Sequence, residues 1–431
     1  MRLPLALRVA AELTVARSAT SLAELVAELA DEQRRLELFD AGGDPRTAVR
    51  AVFSWSYLHL PTEAARAFRL IGLHPGPDLD PYAAAALTHI DLDQAQHLLD
   101  LLARAHLVQP ASPGRYGIHD LLRAYAIDLV VNEQDRRSAL TRLFDHYLAT
   151  AGAAMGNLYP AEQGYRPRIR PVATPMPPVT DPATARAWLD AERVALTAVC
   201  AYTAVRGWPG HTTGLSSTLF RYLDIGGHYP DAVVIHAHAL RAARDAGDWA
   251  AEAHALTNLG LVYWRQGRYP QAVNHNRQAL TLFREIGDRV GEARTLGNLG
   301  LVYRRQGHYQ QAAEHHQQAL ALSREIGHRG GEAKALNGVG ETHHATGHPK
   351  QTHAHHAAAL TLATELGDRY EQARAHNGLA HTYHATGNPD QARYHWHQAL
   401  ALYTDLGVPE ADDVHAHLIA LDQATGDDKE D

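Results

Sequence analysis

A forty-residue period governs the second half of the chain. Glycines stand in register from Gly247 to Gly407, and a second series of glycines runs from Gly267 to Gly387 at the same spacing. Self-similarity at a fixed period of about 20 to 50 residues is typical of proteins built from stacked repeats. Such an array grows along one dimension and not around a single core. The second half of the chain is therefore predicted to be a solenoid.

Each unit of the array has the pattern of two helices joined by a turn. In one well-defined unit, an apolar run at 255–263 precedes Gly267, and a second run passes through Ala272 and Leu280. A helical hairpin cannot bury its apolar face alone, so the units must stack. We predict five forty-residue units, the first of them degenerate, with a leading and a capping helix.

The first half of the chain has a different pattern. Apolar periodicity predicts helices at about 47–57, 61–71, 81–87 and 92–105. Strand-like residues at 107–109 and 116–118 flank a Pro-Ala-Ser-Pro-Gly turn and predict a β-hairpin. Three helices and a hairpin predict a winged helix-turn-helix. The expected fold class is mainly α, with a winged-helix domain carrying one short β-hairpin before the α-solenoid.

Composition limits the classes of function. The formal charge of -8 argues against non-specific binding of nucleic acid, and helix 91–100 of the winged helix is acidic. Direct DNA binding is therefore not expected. No apolar run is long enough to span a membrane, and the single cysteine, Cys200, fits a reducing cytoplasm. His381 and His384 could share a helix face, but neither a cysteine nor a well-spaced acid accompanies them, so no metal is expected.

Two families resemble different parts of the chain. The Leu-Gly-x-x-Tyr, Gly-x-Tyr-x-x-Ala and Ala-Leu motifs over about 210–406 resemble the tetratricopeptide repeat in its forty-residue form. Within the unit at 327–366, His343 and Thr352 replace the usual Tyr and Ala. Residues 3–7, 116–126 and 188–193 resemble motifs of the actinobacterial AfsR-like regulators, whose nucleotide-binding module is of the STAND (NB-ARC) class.

The second resemblance implies a nucleotide switch. It implies that Pro4 lies near adenine and that His119 contacts the β-phosphate of ADP. The open alternative is that His119 only ends the hairpin while Asp120 caps the next helix. No Gly-x-x-x-x-Gly-Lys-Ser/Thr occurs, so no loop can hold phosphates and no enzyme activity is expected. ADP or ATP is expected only in a full-length or complemented protein, of which this chain would be the C-terminal portion.

These patterns predict a linear domain order. The predicted segments are a helical remnant of the nucleotide-binding module at 1–45, the winged helix at 46–132, a connecting helix at 133–157, a Pro-rich linker at 158–182 and the repeat superhelix at 183–426.

The inner face of the superhelix is the candidate binding surface. His254, Arg294, Lys334 and Arg374 recur every forty residues and form a predicted cationic ladder. Asparagine amides can bond both N–H and C=O of a peptide, and cations favour acidic partners. The candidate residues are His254, Asn258, Trp264, Arg265, Arg294, Asn298, Arg305, Lys334, Asn337, Arg374 and Asn377. The alternative is that the cations pair with Glu252, Glu292 and Glu332 and that the asparagines only support packing.

Two functions follow as hypotheses. The first is a non-catalytic signalling protein whose superhelix binds a protein or peptide, with an acidic partner expected. The second is a nucleotide-responsive transcription regulator that acts with missing N-terminal domains. Assembly into an oligomer on activation is an associated expectation.

Overall fold

The computed structural model describes residues 53–54, 56–130, 132–160, 163 and 166–427. Its chain divides into two compact units. Unit 1 contains the described residues up to Thr150 together with 169–178 and 194–199, and unit 2 contains 151–168, 179–193 and the described residues from Cys200 onward. The predicted segment 1–45, with Pro4, lies outside the described residues. The predicted domain boundaries stay predictions.

Unit 1 combines short helices with a small sheet. Its elements in chain order are α1 (Thr62–Ile71), β1 (Asp78–Leu79), α2 (Pro81–Thr88), α3 (Leu92–Arg104), β2 (Gln109–Ser112), β3 (Arg115–Gly117), α4 (Asp120–Asp128) and the start of α5 (Glu133–Leu158). The sheet is antiparallel with order β1-β3-β2. The expected hairpin is present, but its first strand begins two residues later than predicted. A third strand joins it, although two residues are too few to show alternation.

Polar anchors hold the sheet and the helices of unit 1 together. Arg115 of β3 donates to Asp78 of β1 at 2.8 Å. The Arg123 side chain donates to the carbonyl oxygens of His74 and Gly76. Burial lowers the pKa of His74 to about 3, and a ring nitrogen lies 2.8 Å from the Tyr147 hydroxyl. Membership of the winged-helix class stays a prediction.

Unit 2 is a solenoid of antiparallel helices. Its helices are α6 (Pro182–Val205), α7 (Pro209–Ile225), α8 (Tyr229–Ala246), α9 (Trp249–Arg265), α10 (Tyr269–Ile286), α11 (Arg289–Arg305), α12 (Tyr309–Glu325), α13 (Arg329–Ala345), α14 (Pro349–Leu366), α15 (Arg369–Ala385), α16 (Pro389–Leu406) and α17 (Glu410–Asp427). The fold class expected from the sequence is confirmed in its main features, a mostly helical chain that ends in a repeat solenoid.

The glycine series mark the turns between these helices. Gly247, with φ of 67°, follows the last residue of α8, and Gly267, with φ of 72°, ends the turn after α9. Only glycine adopts this left-handed conformation without steric cost. Asp248 then caps α9 by accepting the Ala251 N–H at 2.9 Å. The forty-residue period therefore reflects chain reversals of identical geometry.

One position in the second helix of each pair fills the space between neighbouring pairs. It is occupied by His236, Asn276, His316, His356 and Trp396, all buried. The first helices approach three of these side chains, Asn276, His316 and His356, through Gly260, Gly300 and Gly340. A Cβ added at Gly300 would lie 2.6 Å from a ring carbon of His316. This close approach explains why small residues recur with the period.

Candidate functional site

A polar groove runs along the inner face of unit 2. It encloses about 1460 Å³ and is lined mainly by the first helices α9, α11, α13 and α15, with contributions from α7 and α17. First helices lie side by side in the solenoid, so residues forty apart along the sequence become neighbours on this face. The predicted inner face is therefore a concave surface on which periodic side chains can meet one ligand.

The predicted ladder begins with a neutral histidine. Nδ1 of His254 lies 2.8 Å from a guanidinium nitrogen of Arg294. Burial and the charge of Arg294 lower the pKa of His254 to about 4, although Asp288 opposes them. His254 is therefore uncharged at neutral pH and accepts a hydrogen bond from Arg294. The prediction that His254 is a cation of the ladder is wrong.

The last member of the ladder belongs to an internal ion network. Arg374 donates to Glu341 at 2.7 Å and to Glu371 at 2.9 Å, and Arg304 lies 2.9 Å from the same Glu341. Arg374 and Arg304 hold the pKa of Glu341 well below its usual range despite burial. We name Arg304, Glu341, Glu371 and Arg374 the neutralised floor. Arg374 lines the groove, but its charge is already balanced by these carboxylates.

The four predicted asparagines do not form one line. Asn258 and Asn298 are forty residues apart, whereas Asn337 and Asn377 come one position earlier in their helices. One asparagine of each register, Asn258 and Asn337, is buried, and Asn337 donates to the Glu371 carboxylate at 3.0 Å. The expectation that these two amides face the groove is wrong. Asn298 and Asn377 do line it, and Asn377 accepts the indole N–H of Trp396 at 3.1 Å.

The candidates that remain on the groove wall are rich in hydrogen-bond donors. Trp264, Arg294, Asn298, Arg305 and Lys334 all line the groove, on three successive first helices. We name these five residues the donor face. Their side chains carry guanidinium, amide and ammonium N–H groups and, at Trp264, an indole N–H that is buried without a hydrogen-bond partner, and the Asn298 oxygen is the one strong acceptor among them. A carboxylate is the complementary ligand for such a surface.

The three glutamates of the alternative have arginine partners outside the ladder. Glu252 lies 2.7 Å from Arg244, Glu292 lies 2.8 Å from Arg284 and Glu332 lies 2.7 Å from Arg324. Each of these arginines comes from the last turn of the preceding helix, eight residues earlier. Arg294 and Lys334 have contacts of their own within the structure. The glutamate–arginine pairs join consecutive helices at the turns.

Arg265 has partners that the sequence did not indicate. Its guanidinium donates to Asp224 at 2.9 Å, to Glu410 at 2.7 Å and to the Tyr370 hydroxyl at 3.0 Å. Tyr370 and Glu410 lie 105 and 145 residues further along the chain. No local pattern signals contacts at this separation. Arg265 lines the groove but is fully occupied within unit 2.

The structure places His119 at the start of α4. Its side chain is exposed, and its Nδ1 accepts the Leu121 N–H at 3.3 Å as the helix N-cap. The capping role is thus carried by His119 and not by Asp120. Neither a metal-binding group of three or more His, Cys, Asp or Glu residues nor a helix able to cross a membrane occurs in the described part of the chain.

Comparisons with known proteins identify the array. The tetratricopeptide repeat model matches residues 226–285, 277–325, 291–355 and 331–405. The chain is 37% identical over 269 residues to the regulatory protein AfsR of Streptomyces griseus, covering 61% of this chain and 27% of that protein. It is 38% identical over 206 residues to AfsR of Streptomyces coelicolor, covering 46% of this chain and 20% of that protein. The chain thus spans about a quarter or less of these relatives' length.

A solved structure also aligns with most of the chain. This is a STAND protein with a tetratricopeptide repeat sensor from Pyrococcus horikoshii, at 13% identity and a TM-score of 0.42, covering 96% of this chain and 62% of that one. The sequence matches alone confirm the resemblances stated above to AfsR regulators and to the tetratricopeptide repeat. The chain is homologous to AfsR regulators over about half its length and carries tetratricopeptide repeats.

Proposed function

We propose that this protein is a non-catalytic regulatory protein whose tetratricopeptide superhelix binds a protein or peptide partner through acidic groups. The observation that carries the proposal is the donor face, where Trp264, Arg294, Asn298, Arg305 and Lys334 line one groove. Charge-assisted hydrogen bonds from such groups to carboxylates are about twice as strong as neutral ones. The neutralised floor adds no net charge, and Asp368, Asp412 and Asp413 line other parts of the groove, so only the donor face is proposed to take acidic groups.

The geometry favours an extended peptide as the ligand. The donor face is spread over α9, α11 and α13, so one compact anion cannot meet all of its members. An extended chain follows the axis of the stack and can place an acidic side chain at each helix in turn. Asn298 can meanwhile bond both N–H and C=O of the peptide backbone.

Homology favours a second function for a longer protein. The matched relatives are named regulatory proteins, and this chain covers only part of them. In this second proposal the chain acts with further domains as a nucleotide-responsive transcription regulator, and ADP binds to those domains. In this chain the Nδ1 atom of His119 accepts the Leu121 N–H at the start of α4.

The first proposal is tested with a defined acidic probe. The probe is a fluorescent peptide of glutamates with a free C-terminus, and binding is measured by fluorescence anisotropy. The double variant Arg294→Glu/Lys334→Glu should lose binding by tenfold or more, since each lost contact with a charged group is worth about 1.5–3 kcal/mol. A peptide of lysines should not bind the wild type.

The matched control changes the same net charge outside the groove. Arg289 and Arg329 lie at the starts of α11 and α13, where they pair with Glu325 and Glu365 on the solenoid surface. Arg289→Glu/Arg329→Glu should bind the glutamate peptide nearly as the wild type does. Equal loss in both double variants would show non-specific charge attraction and would refute the donor face as the binding site.

A further inference from the structure

A ring of polar contacts joins distant helices of the solenoid. Arg265 at the end of α9 bridges Asp224 of α7 and Glu410 of α17, and the Tyr370 hydroxyl donates to Glu410 at 2.7 Å. We name Asp224, Arg265, Tyr370 and Glu410 the clasp. In a solenoid each repeat normally contacts only its neighbours. The clasp instead joins the beginning of the array to its end.

The groups of the clasp satisfy one another. The guanidinium of Arg221 lies over the Tyr370 ring at 4.8 Å and 3.9 Å from Asp224, so two cations face two carboxylates. Asp224 is 2% exposed and Tyr370 is 9% exposed. Arg265 holds the pKa of Glu410 below its usual range. Removal of one member of such a buried set leaves its partner charged and unpaired.

A second contact closes the array at another point. Arg186 in the first turns of α6 donates to the carbonyl oxygen of Leu406, the last residue of α16, at 2.9 Å. The two residues are 220 positions apart. The clasp and this contact use different helices, so two separate contacts join the start of the array to its end.

The clasp also forms part of the groove wall, because all four of its residues line the groove with the donor face. We propose that the closed clasp restricts this site to an unfolded acidic segment, and that a partner whose acidic segment lies between folded domains enters only after the clasp opens. The inference rests on the proposed function for its ligand, but closure itself can be measured without any ligand.

The first experiment measures closure by pulsed electron resonance between two spin labels. One label is attached at Gln266→Cys, directly after the last residue of α9, and the other at His415→Cys on α17. Both positions are exposed. Burial raises the pKa of the native Cys200 thiol to about 12, so Cys200 does not compete for the label. The wild type should give one narrow distance distribution. Arg265→Ala should shift it to longer distances and broaden it.

The chain supplies a matched control for this substitution. Arg305 stands forty residues after Arg265, at the same place in its helix, but is exposed. Arg305→Ala should leave the distance distribution unchanged. If Arg265→Ala does not fold, the pair Tyr370→Phe and Glu410→Gln removes the Tyr370–Glu410 hydrogen bond and the charge of Glu410 with smaller changes of shape. An unchanged distribution in folded clasp variants would overturn the proposal, whatever the glutamate peptide does.

The second experiment tests the class of partner. The same glutamate segment is presented free or between two folded domains, and association rates are compared. The wild type should bind the free peptide faster than the flanked segment, and Arg265→Ala should bind both at similar rates. Equal rates for both forms with the wild type would overturn the restriction to unfolded segments. Absence of binding to either form would instead count against the proposed function.

Discussion

The two halves of the groove differ although their helices share one register. Arg294 and Arg374 occupy the same place in their repeats, two units apart, and both line the groove. Arg294 faces a neutral histidine, whereas Arg374 lies between Glu341 and Glu371. In the proposed function the donor face is the part that attracts an anion, whereas the neutralised floor joins neighbouring helices of the stack. A repeat position determines where a side chain lies, and its neighbours determine what it can do.

The sharpest test of this comparison removes each arginine in turn. Arg374→Ala should lower the free energy of unfolding by roughly 3–5 kcal/mol, because it leaves the buried Glu371 carboxylate without a cation. Arg294→Ala should lower it by less than about 1 kcal/mol, as expected for a partly exposed group. Urea denaturation followed by circular dichroism measures both. Comparable losses for the two variants would break the distinction between face and floor.

A rescue variant separates charge from volume in the same region. Arg374→Met combined with Glu371→Leu replaces the ion pair by apolar side chains of similar size. Such replacements of buried ion pairs are often neutral or stabilising. The double variant should therefore recover much of the stability lost in Arg374→Ala.

A second prediction compares two glycines of α11, one at each surface of the helix. A Cβ at Gly300 would meet the His316 ring at 2.6 Å, whereas a Cβ at Gly297 would meet nothing within 4 Å. Gly300→Ala should destabilise unit 2 by about 1–3 kcal/mol through overpacking. Gly297→Ala should stabilise the helix by about 0.5–1 kcal/mol. Thermal unfolding of both variants gives the sign directly, and a loss of stability in Gly297→Ala would contradict the placement of that residue.

The third prediction concerns His316, a buried histidine at the groove. Burial, with help from Arg304, Arg374 and His315, lowers the pKa of His316 to about 3 while Glu341 opposes the shift. The unfolded chain then binds a proton more readily than the folded chain. Stability from this group is complete above its ordinary pKa of about 6.5 and is lost as pH falls towards 3.

The expected loss of stability on acidification is modest, and a neighbouring repeat supplies the control substitution. One histidine shifted in this way should cost roughly 1–2 kcal/mol between pH 7 and pH 5. His316→Asn introduces the residue that the preceding unit carries at Asn276. This variant should lose less stability over the same pH range, as measured by urea denaturation. An identical pH dependence in the variant would assign the effect to other groups.

The repeat pattern predicted the solenoid because its signals are local. Glycine turns such as Gly247 and helix caps such as Asp248 depend on residues within one turn of chain. The face on which Arg294 and Lys334 lie followed from helical periodicity for the same reason. The third strand of unit 1 was missed because β1 has only two residues and is defined by pairing with β3.

The charge state of the site could not be predicted in the same way. Arg374 is neutralised by a carboxylate from the preceding first helix, so the outcome depends on how two units stack. Asn258 and Asn337 are both buried although they differ by one residue in register, so the register alone did not predict which amides line the groove. The partners of Arg265 depend on how the helices from α10 to α16 stack, because small rotations between successive helices add up along the array.

The contact between Arg265 and Glu410 also depends on the number of repeat units in the array. They meet only because seven helices, α10 to α16, lie between α9 and α17. Tandem arrays gain and lose units readily, since every joint has the same geometry, and most such changes leave each remaining interface intact. Here a duplicated or deleted unit would carry Glu410 out of reach of Arg265. The array thus has a built-in length standard that its repeats alone would not impose.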